Sequence, residues 1–161
     1  MEIKVFVEIP KGSRNKYEQD ESTGEIVLDR ALYGPEVFPF DYGFVQDTKG
    51  EDGDPLDVVL LVTNPTFPGC VVKTNVIGYL EMEDEAGIDD KVLAVPTKKL
   101  DPRWAHVEDV GDLTEAQRKE IKEFFENYKK LEPGKWVKLK DFKSKEDAEK
   151  IIQEAIKRHS G

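Results

Sequence analysis

The residues best suited to chemistry form one short segment, Asp52-Gly53-Asp54-Pro55-Leu56-Asp57. Three carboxylates stand within six positions, and glycine and proline between them shape the backbone that aims them. A continuous apolar run, residues 58–62, follows at once and has the length and β-branched content of a buried strand. Carboxylates at the end of a buried strand are held rigidly, and rigid placement is what a preorganised site requires. The segment therefore predicts a cation-binding site.

Acidic residues are concentrated in this part of the chain and in one other. Residues 41–57 and 81–90 together hold 12 of the 34 Asp and Glu residues. Crowded carboxylates repel one another, which raises their pKa values, and a divalent cation removes that repulsion. Oxygen ligands without His or Cys favour Mg²⁺ or Mn²⁺ over Zn²⁺. A calcium EF-hand is excluded because its D-x-[DN]-x-[DN]-G layout is absent. For either stretch alone, a solvated acidic turn is the alternative.

Basic and phenolic side chains supply the complementary chemistry. Arginine binds phosphate through a fork of donors, lysine binds it as a point charge, and tyrosine donates a hydroxyl. Each of these residues alone could be a surface charge or a core residue, so only their occurrence together with the acids predicts a phosphate site. The candidates are Lys16, Arg30, Tyr42, Lys91, Tyr128 and Lys129.

Composition excludes several classes of protein. The 161 residues carry a net charge of −10, which disfavours binding to nucleic-acid phosphates. Cys70 is the only cysteine, so an internal disulfide is impossible. The first residues lack a signal-peptide layout, and no apolar run approaches the roughly 20 residues of a membrane span. We expect a soluble, cytoplasmic protein without nucleic-acid or membrane partners.

The order of the predicted elements indicates an α+β fold. Alternation and short apolar runs predict strands at residues 3–9, 16–18, 25–30, 58–62, 71–82, 92–95 and 136–142, with 34–41 irregular. Thr114 and Gln117 form a capping box for a helix that Gly134 should end, and Ser144 begins a second helix. A small closed, OB-like β-barrel with two main helices packed outside is the simplest arrangement. We expect a single domain over residues 1–161.

These residues together resemble the family I soluble inorganic pyrophosphatases of bacterial and archaeal type. Residues 52–57 match that family's D-G-D-P-x-D signature, and the resemblance extends over essentially residues 1–142, with the final helix also expected. Further matching blocks, in the same order, are Glu8–Pro10, Lys16–Glu18, Leu28–Arg30, Pro39–Gly43, Asp84–Gly87, Asp89 with Lys91, and Phe124–Lys129. Phe38 departs from the pattern, since many members carry tyrosine there, and one minor hydroxyl contact is lost.

The resemblance implies a metal-binding role for most of the matched acids. Asp52, Asp57 and Asp89 would hold a first metal ion, and Asp57 would bridge it to a second. Asp84 and Asp89 would bind a metal ion that arrives with substrate, and Glu8 would act on a further one. Asp54 would be the general base that takes a proton from the attacking water, with Asp89 as the second candidate.

The remaining matched residues would bind the substrate. Lys16, Arg30, Tyr42, Lys91, Tyr128 and Lys129 would hold the two phosphate groups of pyrophosphate. Glu18 and Glu85 would organise these groups through water or ion pairs. Neither His106 nor His159 matches a catalytic position.

The function that the resemblance implies is Mg²⁺-dependent hydrolysis of pyrophosphate to two orthophosphates by direct attack of a metal-activated water. Several Mg²⁺ ions would bind per site, with Mn²⁺ or Zn²⁺ as substitutes, and the subunits would form a hexamer. The residues alone leave three alternatives: a barrel that binds Ca²⁺ or nucleotides without turnover, a nucleic-acid-binding barrel, and a phosphatase for organic esters or nucleotides.

Overall fold

The computed structural model describes residues 1–161 as nine strands and two α-helices. The strands are β1 (Glu2–Ile9), β2 (Asn15–Gln19), β3 (Ile26–Ala31), β4 (Asp41–Val45), β5 (Asp57–Leu60), β6 (Val71–Asp84), β7 (Gly87–Ile88), β8 (Lys91–Pro96) and β9 (Val137–Lys143). The helices are α1 (Glu115–Asn127) and α2 (Lys145–Ser160). Two short 3₁₀ turns, Pro102–Trp104 and Val110–Asp112, precede α1. Neither helix combines the length and the apolar character needed to cross a membrane.

Five strands close into a barrel in the order β1-β4-β5-β8-β6, and β6 pairs back onto β1. The β5–β8 pair is parallel and the other four pairs are antiparallel. β6 is long enough, at 14 residues, to pair with β7 and β9 as well, and its register shifts between Val76 and Gly78. β2 and β3, both predicted as strands, pair as an antiparallel hairpin in a separate two-stranded sheet. The closed barrel with two helices confirms the predicted fold class.

Strand alternation divides the core between the two helices. Successive side chains of a strand point to opposite faces, so neighbouring residues enter different clusters. In β5, Val58 joins a cluster that includes Ala148 and Ile152 of α2. Val59 instead joins the cluster that includes Phe124 of α1. Both faces of the strand are buried, which explains its continuous apolar sequence.

The start of α1 follows the prediction, but its end does not. Thr114 and Gln117 form the capping box. The helix ends at Asn127, and the chain then turns through residues 128–134 instead of continuing to Gly134. Leu131, which the predicted helix would include, is 63% exposed in this turn. Lys129 therefore lies in the turn and not in the helix. From there its side chain reaches Asp84 on β6.

β4 was not predicted: the sequence analysis has irregular chain at residues 34–41 and no strand at residues 42–45. Asp41, at its first position, is fully buried and accepts hydrogen bonds from Lys11 N (2.7 Å), Thr66 N (3.1 Å) and Thr66 Oγ1 (2.6 Å). These three bonds satisfy a buried carboxylate that would otherwise be costly. Asp41 therefore anchors loops to the barrel, although it belongs to the acidic stretch seen in the sequence.

Gly43 of β4 should be essential for barrel closure. A Cβ atom at this position would lie 1.9 Å from the carbonyl oxygen of Phe6 in β1, and neither backbone can move without disturbing the ladder. We expect Gly43→Ala to lower the free energy of unfolding by about 3 kcal/mol or more, as overpacked cores do. Gly111→Ala is the control, since no atom lies within 4 Å of its Cβ position. Equal urea midpoints for the two variants would contradict this packing argument.

Candidate active site

An open cleft of about 1180 Å³ lies where the β2–β3 hairpin, the barrel and the turn after α1 meet. Every site residue predicted from the sequence lines it except Glu85. Its predicted acids are Glu8, Glu18, Asp52, Asp54, Asp57, Asp84 and Asp89, and its predicted cations and phenols are Lys16, Arg30, Tyr42, Lys91, Tyr128 and Lys129. The structure thus brings together residues that are more than 100 positions apart in the chain.

Lys91 lies between two carboxylates of the cleft. Its side chain is almost fully buried, and its Nζ donates to Asp57 Oδ2 and to Asp89 Oδ1, each at 2.8 Å. The aromatic rings of Tyr42 and Phe125 flank the ammonium, with centroids at 5.3 and 5.8 Å. Burial alone would lower the Lys91 pKa, but attraction to the two carboxylates outweighs it and the pKa is raised. Lys91 is therefore a permanent cation.

The pairing of β5 with β8 explains why these groups meet. The two strands run parallel with Val58 opposite Val92, so Asp57 and Lys91 are adjacent at the first positions of their strands. Asp89 precedes Lys91 by two residues and reaches the same ammonium. Strand register, rather than local sequence, fixes this contact.

The loop before β5 is held by its own backbone and by α2. Gly53 has a φ of 91°, a left-handed conformation that favours glycine, and Asp52 Oδ1 accepts the Asp54 N–H at 3.0 Å. The buried Thr48 hydroxyl donates to Val45 O and accepts from Leu56 N. Arg158 of α2 donates to the carbonyl of residue 49 at 2.8 Å. This scaffold presents Asp52 and Asp54 to the cleft as the sequence predicted.

Lys129 is a second lysine of the cleft that pairs with carboxylates. Its Nζ lies 2.9 Å from Asp84 Oδ2 and 3.2 Å from Glu85 Oε1. Glu85 also accepts the backbone N–H of Trp136 at 3.2 Å, so it joins the turn after α1 to the end of β6. Burial would raise the pKa of Asp84, but the hydrogen bonds from Lys129 and Ala86 hold it below its usual value. Glu85 therefore supports Lys129 from outside the cleft.

The β2–β3 hairpin supplies the remaining cations. Lys16 and Arg30 are opposite each other in the hairpin register. Asp29 contacts the Arg30 Nη1 and lies 3.5 Å from Lys16 Nζ. Arg30 Nε also lies 2.9 Å from Glu132 Oε1, a contact that the sequence analysis did not predict. Lys16 and Arg30 line the same cleft as Asp52 and Asp54.

Burial raises the pKa of several groups in the cleft. Burial raises the pKa of Glu8 to about 7, despite a hydrogen bond from Gln19 N. Burial, followed by repulsion from Asp52 and Asp57, raises that of Asp54. Burial also raises the pKa of Tyr42 and of Tyr128, so both phenols remain hydrogen-bond donors. The cleft thus contains more carboxylates than its own cations neutralise.

The carboxylate donor set fits a hard divalent cation. The five predicted metal ligands, Glu8, Asp52, Asp57, Asp84 and Asp89, offer only oxygen. As the side chains stand, no three acidic, histidine or cysteine groups converge on one point. Lys91 and Lys129 hold three of the five acids in ion pairs. Mg²⁺ suits this spread arrangement because it keeps several of its own waters and does not need a cage made only of protein ligands.

Sequence reasoning missed three residues of this region. Phe125 and His159 line the cleft, and Glu132 lies behind Arg30. Phe125 fell within the apolar stripe of α1 and gave no further signal. His159 is placed by the end of α2, where it lies 3.7 Å from Asp47. Phe38, where the sequence analysis noted a departure from the family pattern, packs its ring 4.6 Å from that of Phe124.

Comparisons with known proteins agree on one family. A family model described as inorganic pyrophosphatase matches residues 5–160. The inorganic pyrophosphatase of Nanoarchaeum equitans is 50% identical over 155 residues, 96% of each chain. That of Streptomyces coelicolor is 52% identical over 158 residues, covering 98% of this chain and 96% of the relative.

Solved structures give the same result. The inorganic pyrophosphatase of Helicobacter pylori superposes with a TM-score of 0.97 at 46% identity, covering 99% of this chain and 94% of that chain. The inorganic pyrophosphatase of Thermus thermophilus superposes with a TM-score of 0.96 at 45% identity, covering 99% of this chain and 92% of that chain. Fold and site thus define a phosphoanhydride hydrolase built on a closed barrel. The chain belongs to the inorganic pyrophosphatase family.

Glu8 should make the metal-free protein less stable as pH rises. The folded chain keeps the Glu8 proton up to about pH 7, whereas the unfolded chain releases it near 4.5. The folded state therefore binds more protons in this window, and stability falls as pH rises through it. Glu8→Gln removes the effect, so the variant should gain stability over the wild type between pH 5 and pH 8.

Urea unfolding in EDTA at these two pH values measures this difference. Glu2→Gln, at the exposed start of the same strand, reports the effect of removing an ordinary surface charge. A Glu8→Gln variant whose advantage over the wild type is the same at both pH values would contradict the assignment.

Proposed function

We propose that this chain hydrolyses pyrophosphate to two orthophosphates, with Mg²⁺ bound, by direct attack of water. One observation carries the proposal: a single cleft is lined both by carboxylates and by Lys16, Arg30 and Lys129. A site for a cation alone would not need the three basic residues. A site for an anion alone would not gather the carboxylates. A polyanion that binds together with divalent cations requires both.

The basic and phenolic residues of the cleft would bind the substrate. The Arg30 guanidinium and the Lys16 ammonium come from one hairpin, and Lys129 comes from the turn after α1. Tyr42 and Tyr128 keep their protons and can donate to phosphate oxygens. Cations at separate points along the cleft suit a substrate with two phosphate groups, because each group carries its own charge.

The carboxylates of the cleft would bind the metal ions. Glu8, Asp52, Asp57, Asp84 and Asp89 would hold them, and Mn²⁺ or Zn²⁺ could replace Mg²⁺. When bound, such ions neutralise phosphate charge and lower the pKa of water toward neutrality. Lys91 holds Asp57 and Asp89 together through two hydrogen bonds of 2.8 Å, so these two side chains are preorganised as ligands.

Asp54 would accept the proton of the attacking water. It is exposed at the rim of the cleft, and its raised pKa brings it closer to the range in which a general base works well. Asp89 is the second candidate, but its ion pair with Lys91 restrains it. Because the acceptor of the phosphoryl group is water, the reaction needs no covalent intermediate, and catalysis depends on positioning and charge.

The assembly and location follow from the family resemblance alone. We propose a cytoplasmic homo-hexamer in which residues 1–161 form a single domain. The match of the family model to residues 5–160 supports the domain assignment. Sedimentation equilibrium of the purified chain tests the hexamer.

Phosphate release from pyrophosphate and from ATP, each with and without Mg²⁺, tests the reaction. We expect rapid release only from pyrophosphate with Mg²⁺. A purified, folded chain that releases no phosphate from pyrophosphate with Mg²⁺ would overturn the proposed function. Equal rates with ATP would instead indicate a phosphatase for nucleotides.

Asp57→Asn should lower the turnover number by about 100-fold or more, since it removes a metal ligand and one of the two carboxylates that hold Lys91. Mg²⁺ affinity, measured by calorimetry, should fall in parallel, while circular dichroism shows an intact fold. Asp141→Asn, on exposed β9, is the control for loss of one negative charge. Near-normal turnover of Asp57→Asn would rule out this role for Asp57.

A further inference from the structure

Glu132 is a buried acid for which the reaction described above has no role. It lies in the turn after α1, three residues beyond Lys129, and only 8% of it is exposed. Its Oε1 lies 2.9 Å from Arg30 Nε on β3, more than 100 residues away in sequence. Its Oε2 is buried without a hydrogen-bond donor from the protein. A buried carboxylate is costly unless a cation compensates it, so Arg30 is its necessary partner.

The contacts of Arg30 divide its donors between the protein and the cleft. Glu132 faces Nε, through a charge contact rather than an aligned hydrogen bond, and Asp29 takes Nη1. Nη2 makes no hydrogen bond within the protein, and Arg30 lines the cleft. A guanidinium held by two carboxylates has little rotational freedom. The plane of the Arg30 guanidinium is therefore fixed, and its Nη2 remains available to an external oxyanion.

The same turn also sets the position of Lys129. The Glu132 N–H donates to the Lys129 carbonyl at 3.1 Å, so the two residues belong to one hydrogen-bonded turn. The Lys129 side chain reaches Asp84 while that of Glu132 reaches Arg30. One turn thus connects two cations of the cleft that come from different elements.

We propose that Glu132 is a positioning residue that fixes the Arg30 guanidinium for a phosphate group and couples its placement to that of Lys129. The inference rests on the proposed function, in which Arg30 binds pyrophosphate. Glu132 is enclosed behind Arg30 and acts through it. Its removal should therefore weaken substrate binding more than it slows the chemical step.

Steady-state kinetics with pyrophosphate and Mg²⁺ test this proposal. Glu132→Gln keeps the shape of the side chain and removes its charge, and we expect it to raise KM about tenfold with a smaller effect on kcat. Glu132→Asp keeps the charge and should recover part of the loss. Glu126→Gln, an exposed position near the end of α1, is the control and should behave as wild type.

A double-mutant cycle separates positioning from a purely structural role. In an Arg30→Gln background, Glu132→Gln should raise KM no further, because the residue through which it acts is gone. Calorimetric binding of methylenediphosphonate, which cannot be hydrolysed, should show the same pattern. A Glu132→Gln variant with a lower Tm but unchanged KM and diphosphonate affinity would overturn the proposal, as would a full additive loss in the double variant.

The outcome for the wild type distinguishes this proposal from the function on which it rests. A wild-type chain that neither hydrolyses pyrophosphate nor binds the diphosphonate defeats the proposed function itself. If the wild type is active and Glu132→Gln leaves KM and diphosphonate affinity unchanged, only the positioning role is ruled out. If Glu132→Gln does not fold, Glu132→Asp in the same assays decides, since positioning predicts a raised KM for the shorter side chain.

Discussion

The ammonium of Lys91, enclosed between Asp57 and Asp89, is the contact on which the cleft depends. Its two 2.8 Å hydrogen bonds hold together carboxylates that would otherwise repel each other, and the rings of Tyr42 and Phe125 exclude water from its sides. A buried cation of this kind is stable only if its partners are fixed. The parallel pairing of β5 and β8, two neighbouring strands of the barrel, fixes Asp57 beside Lys91.

Charge is balanced locally rather than over the whole molecule. The chain carries a net charge of −10, yet Lys91 and Lys129 each neutralise acids within the cleft. The compensation is incomplete, because seven of the predicted acids line the cleft but only four of the predicted cations, Lys16, Arg30, Lys91 and Lys129, do so. The remaining negative charge favours divalent cations, and the cations of the hairpin and of the turn after α1 favour phosphate. One cleft therefore suits a metal–polyphosphate complex better than either component alone.

The sequence predicted those parts of the molecule that local physics determines. Alternation predicted β1, the apolar run predicted β5, and capping residues predicted the starts of both helices. β4 was missed because its pattern is short, polar at Asp41 and interrupted at Gly43, and because its burial comes from neighbouring strands. The end of α1 was predicted too late, since the contact of Lys129 with Asp84 is tertiary. Glu132 was missed for the same reason: its partner, Arg30, is close only in the folded chain.

The turn after α1 shows how the fold converts these distant pairings into a single site. Lys129 binds Asp84 and Glu85 at the end of β6, and Glu132 binds Arg30 on β3. The turn thereby joins the barrel to the hairpin, which otherwise forms a separate sheet. Both links consist of charge pairs with low exposure, so loosening one leaves a buried charge without its partner. The relative placement of hairpin, barrel and turn around the cleft thus depends on ion pairs, and their cations, Arg30 and Lys129, also line that cleft.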